Sequence, residues 1–169
     1  MQESPQQLAE AVAQTMFGND PASKLLGMEI VSVGPGQAHM RMTVQPNMLN
    51  GHAVCYGGFI FSLADSAFAF ACNSHNLSAL AAGARIEFLA PGYEGDVLDA
   101  RANAVTQGKR SGIYDVQVHN QEGKLIALFR GNSSRVGGQV VARQIVARQI
   151  VAREIVEREE VKREEEDKS

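Results

Sequence analysis

Between its start and residue 138 the chain changes its hydrophobic period several times, and each change marks an element. Ser4 followed by Pro5 has the form of a helix start, with the serine as cap and the proline in the first turn. Leu8, Val12 and Met16 then recur at helical spacing, which predicts a helix over about 5–17. The run NDPASKLLG repeats the cap-plus-proline signal in miniature and stops at Gly27, as a short helical turn does before extended chain from Met28 to Val33. From Ala38 the period becomes two. Ala38, Met40, Met42 and Val44 alternate with His39, Arg41 and Thr43, the pattern of a half-buried strand that Pro46 ends.

A polar loop, NMLNGHAVCY, leads into the run YGGFIFSLADSAFAFAC from Tyr56 to Cys72. The run is too long for one strand and almost free of polar residues, which predicts a helix covered on nearly all sides. Extended chain from Ala79 to Leu89 follows. In DVLDARANAVTQ, Leu98, Ala100, Ala102 and Ala104 alternate against Asp99, Arg101 and Asn103; in GIYDVQVHN, Tyr114, Val116 and Val118 alternate against Asp115, Gln117 and His119. KLIALFRGNSS is a more continuous apolar strand, and Gly108 and NQEG mark tight connections. The sum is an α+β domain over residues 1–138, a largely antiparallel sheet wrapped around one buried helix.

From Gln139 the pattern breaks. The chain repeats every five residues as QVVAR, QIVAR, QIVAR, EIVER and EEVKR. Five helical steps rotate each apolar pair by roughly 140°, so no stable apolar face forms, and in a strand an odd period changes sides at each repeat. Residues 139–169 therefore read as an appendage, helical or disordered, with Gly137-Gly138 as its boundary.

Charge narrows the function classes. A formal net charge of -3 exerts no long-range pull on nucleic acid or an anionic membrane. No signal-like N-terminus and no membrane-length apolar run occur, so the expected location is the cytoplasm. The two cysteines, Cys55 and Cys72, lie in no CxxC or Cys/His pattern and read as reduced packing residues, with no metal expected.

The chemistry centres on Asp65, a single carboxylate inside the apolar helix. An ionised carboxylate is costly to bury unless something compensates it. Gly57-Gly58 opens the same helix, where unpaired backbone N–H groups and the positive end of the helix dipole suit developing negative charge. Alone, the two glycines read better as a tight loop-to-helix turn. Gly57 and Asp65 are eight positions apart, about 12 Å along a helix, so one carbonyl cannot touch both. If the helix packs antiparallel against its copy in a second subunit, the Gly57 amide of one chain faces Asp65 of the other, and an isologous dimer holds two composite sites.

The segments MLNGHAVCYGGFIFSLADSAFAFACNS, IEFLAPGYEGDVL and VTQGKRSGIYDVQVHNQEGKLIALFRGNSSRVGG together resemble hotdog-fold acyl-CoA thioesterases of the phenylacetic acid degradation type, over about residues 5–138. The resemblance implies hydrolysis of acyl-CoA thioesters without metal or bound cofactor by a homotetramer built from dimers. It makes the Gly57 N–H the oxyanion donor, Asp65 the general base or nucleophile, and Asn50 the residue that holds the water or carbonyl. Tyr56 stands where such proteins have a histidine; it can donate a hydrogen bond but cannot act as an imidazole acceptor.

Other residues carry open alternatives. Tyr56, Gly58 and His52 are expected to line the substrate side, although a loop histidine also bonds its own backbone readily. Lys109 and Arg110, in QGKRSG, either meet CoA phosphates or form a solvated turn. Phe59, Phe61, Phe68 and Phe70 either line an aryl pocket or belong to the core. His39, His75 and His119 read as surface residues without a role. The competing class is a non-catalytic acyl-CoA-binding or scaffold protein of the same fold. Hydration of enoyl-CoA lacks a histidine at position 70, which is Phe70, and no G-x-S-x-G elbow supports a serine hydrolase.

Overall fold

A computed structural model describes residues 4–142, together with Val156 and Arg163. Ser4 caps helix α1 (Pro5–Gly18) through a reciprocal pair with Gln7, its hydroxyl accepting the Gln7 N–H while the Gln7 side chain accepts the Ser4 N–H. Asp20 caps the short helix α2 (Pro21–Leu25) by accepting the Ser23 N–H on one carboxylate oxygen and the Ser23 hydroxyl on the other. Strands β1 (Glu29–Gly34) and β2 (Gln37–Thr43) form a hairpin, and a 3-10 turn at Pro46–Met48 leads by a loop to the long helix α3 (Gly57–Asn73). Four strands follow: β3 (Ala79–Phe88), β4 (Val97–Gln107), β5 (Ser111–His119) and β6 (Leu125–Arg135).

All six strands join one antiparallel sheet in the order β1-β2-β4-β5-β6-β3. The alternation seen in the sequence sets its faces. Met40 and Met42 of β2, Leu98, Ala100 and Ala102 of β4, and Tyr114, Val116 and Val118 of β5 are buried beneath α3. Their neighbours Arg41, Arg101 and Gln117 point to the other face, as a period of two demands. Phe68 of α3 packs edge to face on Tyr114 and at a tilt on Phe129. The close approach depends on Gly131 of β6: a Cβ there would stand 2.8 Å from the Phe68 ring.

The expectation that α3 is covered on nearly all sides needs correction. Ile60, Leu63, Ala64, Ala67, Phe68 and Ala71 are buried, but Gly58, Ser62, Asp65, Ser66 and Ala69 form a stripe that the protomer covers only in part. One sheet can press on one side of a helix only. His39 is also not a plain surface residue. Its Nε2 lies 2.5 Å from Asp99 Oδ1, and Arg41 grips both oxygens of that buried carboxylate from the same face. The Nδ1 of His119 is buried, with no hydrogen-bond partner among the described residues.

Residues 136–141 remain packed on the domain, and Val141 is buried against α1. Of the tail expected to be helical or disordered from residue 139, residues 139–142 are not helical and Val141 is held on the domain, Val156 and Arg163 are helical and exposed, and the rest lies outside the described residues. Among the described residues no helix is long and apolar enough to cross a membrane.

Candidate active site

The loop before α3 is pinned at both ends by backbone bonds, Cys55 N–H to Gly92 O and Tyr56 N–H to Met48 O, both 2.8 Å. Within it, Asn50 Oδ1 accepts the His52 N–H at 2.8 Å and the Val54 N–H at 3.4 Å, a turn of the kind asparagine favours. The oxygen of Asn50 is thus spent on shaping the loop. Its Nδ2 has no acceptor among the described residues and is the end left to hold a water or carbonyl. The His52 ring is exposed and bonds nothing among them; the contact is made by its N–H, not by the ring as expected for a self-bonded loop histidine.

Tyr56 occupies the N-cap position of α3 without a capping side-chain bond. Helix starts leave their first N–H groups unpaired unless a cap takes them. Here neither the Gly57 nor the Gly58 N–H has an acceptor among the described residues. Two aromatic rings stand where these glycines lack side chains. A Cβ on Gly57 would lie 2.9 Å from the Phe88 ring, and one on Gly58 would lie 3.2 Å from the Tyr56 ring. Both rings are substantially exposed, Tyr56 at 60% and Phe88 at 52%, and Tyr56 meets Phe59 edge to face. Phe88 was not legible as a site residue: in IEFLAPG it reads only as the end of a strand.

Asp65 stands two turns further along α3 on the partly covered stripe. No hydrogen bond or ion pair to its carboxylate occurs among the described residues, and burial alone raises its pKa above the ordinary aspartate value. The stripe carries only small or polar neighbours: Ser62 donates to Gly58 O at 2.8 Å, and the Ser66 and Ser23 hydroxyls lie 3.1 Å apart. As the eight-residue spacing requires, Gly57 and Asp65 of one protomer are not brought together.

Lys109 and Arg110 sit in the exposed β4–β5 turn. The register places this turn at the opposite end of the sheet from Gly57. Phe88, which touches Gly57, pairs with Ala127, whereas Ser111 beside the turn pairs with Ser134, seven residues further along β6 and about 23 Å away. Within one protomer they do not belong to the site. Phe68 and Phe70 are core residues, while Phe59 and Phe61 are partly buried.

Neither thiol offers a nucleophile. Burial pushes Cys72 up to about 12, and burial with the Asp96 charge nearby pushes Cys55 up to about 11. A cavity of about 520 Å³, lined by Gln6, Pro35, His39, Arg101 and Asn103 among others, opens between α1 and the strands β1, β2 and β4 and touches none of the candidate residues.

A six-stranded antiparallel sheet curled on a long helix, with spare amides at the helix start and a lone carboxylate two turns on, defines a hotdog-fold protein of the thioesterase class. The description of the thioesterase superfamily matches residues 52–127. The chain is 51% identical over 128 residues to the acyl-coenzyme A thioesterase PaaI of Escherichia coli (strain K12), spanning 76% of this chain and 91% of that one. The solved structure of the E. coli PaaI protein from the phenylacetic acid degradation operon is similar with a TM-score of 0.80, at 49% identity over 80% of this chain and 99% of that one. A hypothetical thioesterase protein of Streptococcus pneumoniae TIGR4, solved with coenzyme A, matches with a TM-score of 0.70 at 25% identity, over 75% of this chain and 98% of that one. This chain belongs to the thioesterase superfamily.

Proposed function

We propose that the protein hydrolyses acyl-CoA thioesters with small aromatic, phenylacetyl-like acyl groups, releasing the free acid and CoA. The observation that carries this reading is the pairing of unmet needs on α3, where among the described residues the N–H groups of Gly57 and Gly58 have no acceptor and the carboxylate of Asp65 has no partner. Each lacks what a thioester and its attacking water supply.

In an isologous dimer with antiparallel α3 helices, the thioester oxygen accepts the Gly57 N–H of one protomer while Asp65 of the other faces the carbonyl carbon. As negative charge gathers on that oxygen the amide bond strengthens; one such donor is worth about 10² to 10³ in rate. Asp65 takes a proton from a water as it adds to the carbon, and its raised pKa makes it a stronger base than a solvated aspartate. The tetrahedral species then collapses, the C–S bond breaks, and the CoA sulfur leaves with the proton. Asn50 Nδ2 holds the water in line. No metal or bound cofactor takes part in this scheme.

The antiparallel arrangement also gives Lys109 and Arg110 a place. Their turn lies at the end of the sheet where α3 finishes, so the pair from one protomer approaches the Gly57 end of the other, within reach of CoA phosphates. Two such dimers make a homotetramer, and the cytoplasm, where thiols such as Cys55 and Cys72 stay reduced, is its location.

The test is thiol release from a panel of acyl-CoAs by the wild type and by Asp65→Asn. Loss of turnover in the variant with its dimer intact supports the scheme. Unchanged turnover removes Asp65 from it, and no turnover of any thioester by the wild type leaves the fold as a binding or scaffold protein.

A further inference from the structure

The proposed chemistry uses none of the polar atoms where the chain leaves the sheet. Residues 136–141 run back along the segment that follows α3: the Val136 N–H donates to Ser78 O at 3.0 Å, and the Ser78 N–H to Gly138 O at 3.2 Å. One rung on, a side chain replaces the partner strand. Asn76 Nδ2 donates to Val141 O and Asn76 Oδ1 accepts the Val141 N–H, both at 2.8 Å. Asn76 is buried, and its φ of +58° is in the left-handed region that asparagine tolerates better than most residues. Its amide offers the same donor and acceptor as a peptide group, so it reads backbone and not sequence.

Selection comes from the floor beneath. Val141, 1% exposed, packs on Ala11 and Val12 of α1, edged by Leu8, Met16 and Val140. The groove therefore takes a buried valine preceded by a partly buried β-branched residue. The sequence supplies that ligand more than once: Val140-Val141-Ala142, then Ile145-Val146-Ala147 and Ile150-Val151-Ala152, with Ile155-Val156-Glu157 as a charged variant. There is one groove per described protomer and a run of repeats to fill it. Val156, the matching residue of the fourth repeat, is 52% exposed.

We propose that the groove formed by α1 and Asn76 is a docking site for the five-residue repeat, and that the second repeat, residues 144–148, exchanges with the first by seating Val146 where Val141 lies. The tether favours this occupant. Counted from Val136, the docked valine moves from five residues away to ten, one doubling of the loop, which lowers the equilibrium constant by a factor of about three. The third repeat pays a longer loop, and the fourth one longer still. Roughly a quarter of molecules then dock through the second repeat, and the acidic end of the chain is let out in steps of one repeat.

The thermal midpoint of the full chain tests this, because a single lesion is buffered if the repeats interchange. Val141→Asp is expected to lower the midpoint by about 2 °C, while the fourfold change of Val141, Val146, Val151 and Val156 to Asp lowers it by about 6 °C. Asn76→Gly keeps the left-handed backbone, removes the amide, and is expected to match the fourfold variant. Thioester turnover stays unchanged in all three, which separates this inference from the catalytic reading. A single Val141→Asp loss as large as the fourfold one overturns the exchange, and a fourfold variant as stable as the wild type overturns the docking itself. A Val141→Asp loss that grows on dilution assigns the replacement repeat to a second copy of the chain and overturns exchange within one chain.

Discussion

The two ends of α3 are built in opposite ways. At the C-terminal end every side-chain polar group is committed: Asn73 donates to Ala69 O and Ala79 O and accepts the Ala79 N–H, and Ser74 donates to Ala71 O while accepting the Gly36 N–H. At the N-terminal end the Gly57 and Gly58 amides, the Asn50 Nδ2 and, two turns in, the Asp65 carboxylate are left without partners among the described residues. Burial of unsatisfied polar groups is costly, so a fold keeps them where something else will bind. One end of the helix holds the architecture together and the other is held in reserve for chemistry.

The sharpest way to break this contrast is Asp65→Asn, which keeps shape and removes the base. Turnover of thioesters is expected to fall by at least about 10²-fold, measured as thiol release. The pH profile gives a second reading. Burial raises the Asp65 pKa from the model-compound value of 3.8, so in the wild type activity rises with pH through that raised pKa and is flat above it. For stability the sign is reversed: the folded state holds the proton more tightly than the unfolded chain. The contribution of Asp65 is therefore favourable below the ordinary aspartate range and is lost as pH rises through the raised value, a slope that Asp65→Asn removes.

Gly57→Ala comes next. A methyl group there meets the Phe88 ring at 2.9 Å, which shifts the amide that receives the thioester oxygen. A fall of about 10² in kcat is expected, with a smaller change in KM. Pairing it with Phe88→Ala relieves the contact and returns part of the rate, which distinguishes crowding from loss of the glycine itself.

Asn73→Ala strikes the other end and should do the reverse. It strands the Ala79 N–H in the interior and is expected to cost about 2 kcal/mol in denaturant unfolding, with kcat/KM unchanged at a temperature where the variant stays folded. The smallest effect is expected for Tyr56→His. Tyr56 caps nothing and is 60% exposed, so kcat/KM should move by no more than about threefold; a larger gain would show that an imidazole acceptor belongs in the mechanism.

Much of this was legible before any coordinates. The alternation of Ala38 to Val44, of Leu98 to Ala102 and of Tyr114 to Val118 gave strands with a correct inner face, because a period of two is a local signal, whereas Ala104, expected inside, is exposed beside a register shift in β4. The Ser4-Pro5 start and the apolar run after Gly57 gave both long helices for the same reason. What stayed hidden depends on register. His39 reads as a surface residue until the β2–β4 pairing brings Asp99, sixty positions away, against it. Phe88 reads as a strand end until β3 lays its ring on Gly57, and Lys109 reads as a neighbour of the site until the sheet order puts its turn at the far rim. The role of Asn50 was half visible: the loop asparagine was singled out, but only its hydrogen bonds show which end of the amide remains to act.

Strand β3 has one further consequence. It is ten residues long, contains no proline, and among the described residues pairs through β6 alone, so in the single protomer its other side presents a row of main-chain donors and acceptors. Such a rim is sticky towards any extended peptide, and on this strand only Arg85 and Glu87 carry charge to discourage it. Newly made protein is therefore most at risk of aggregation, a risk that grows with concentration, so its shelf life should depend on concentration before it depends on temperature.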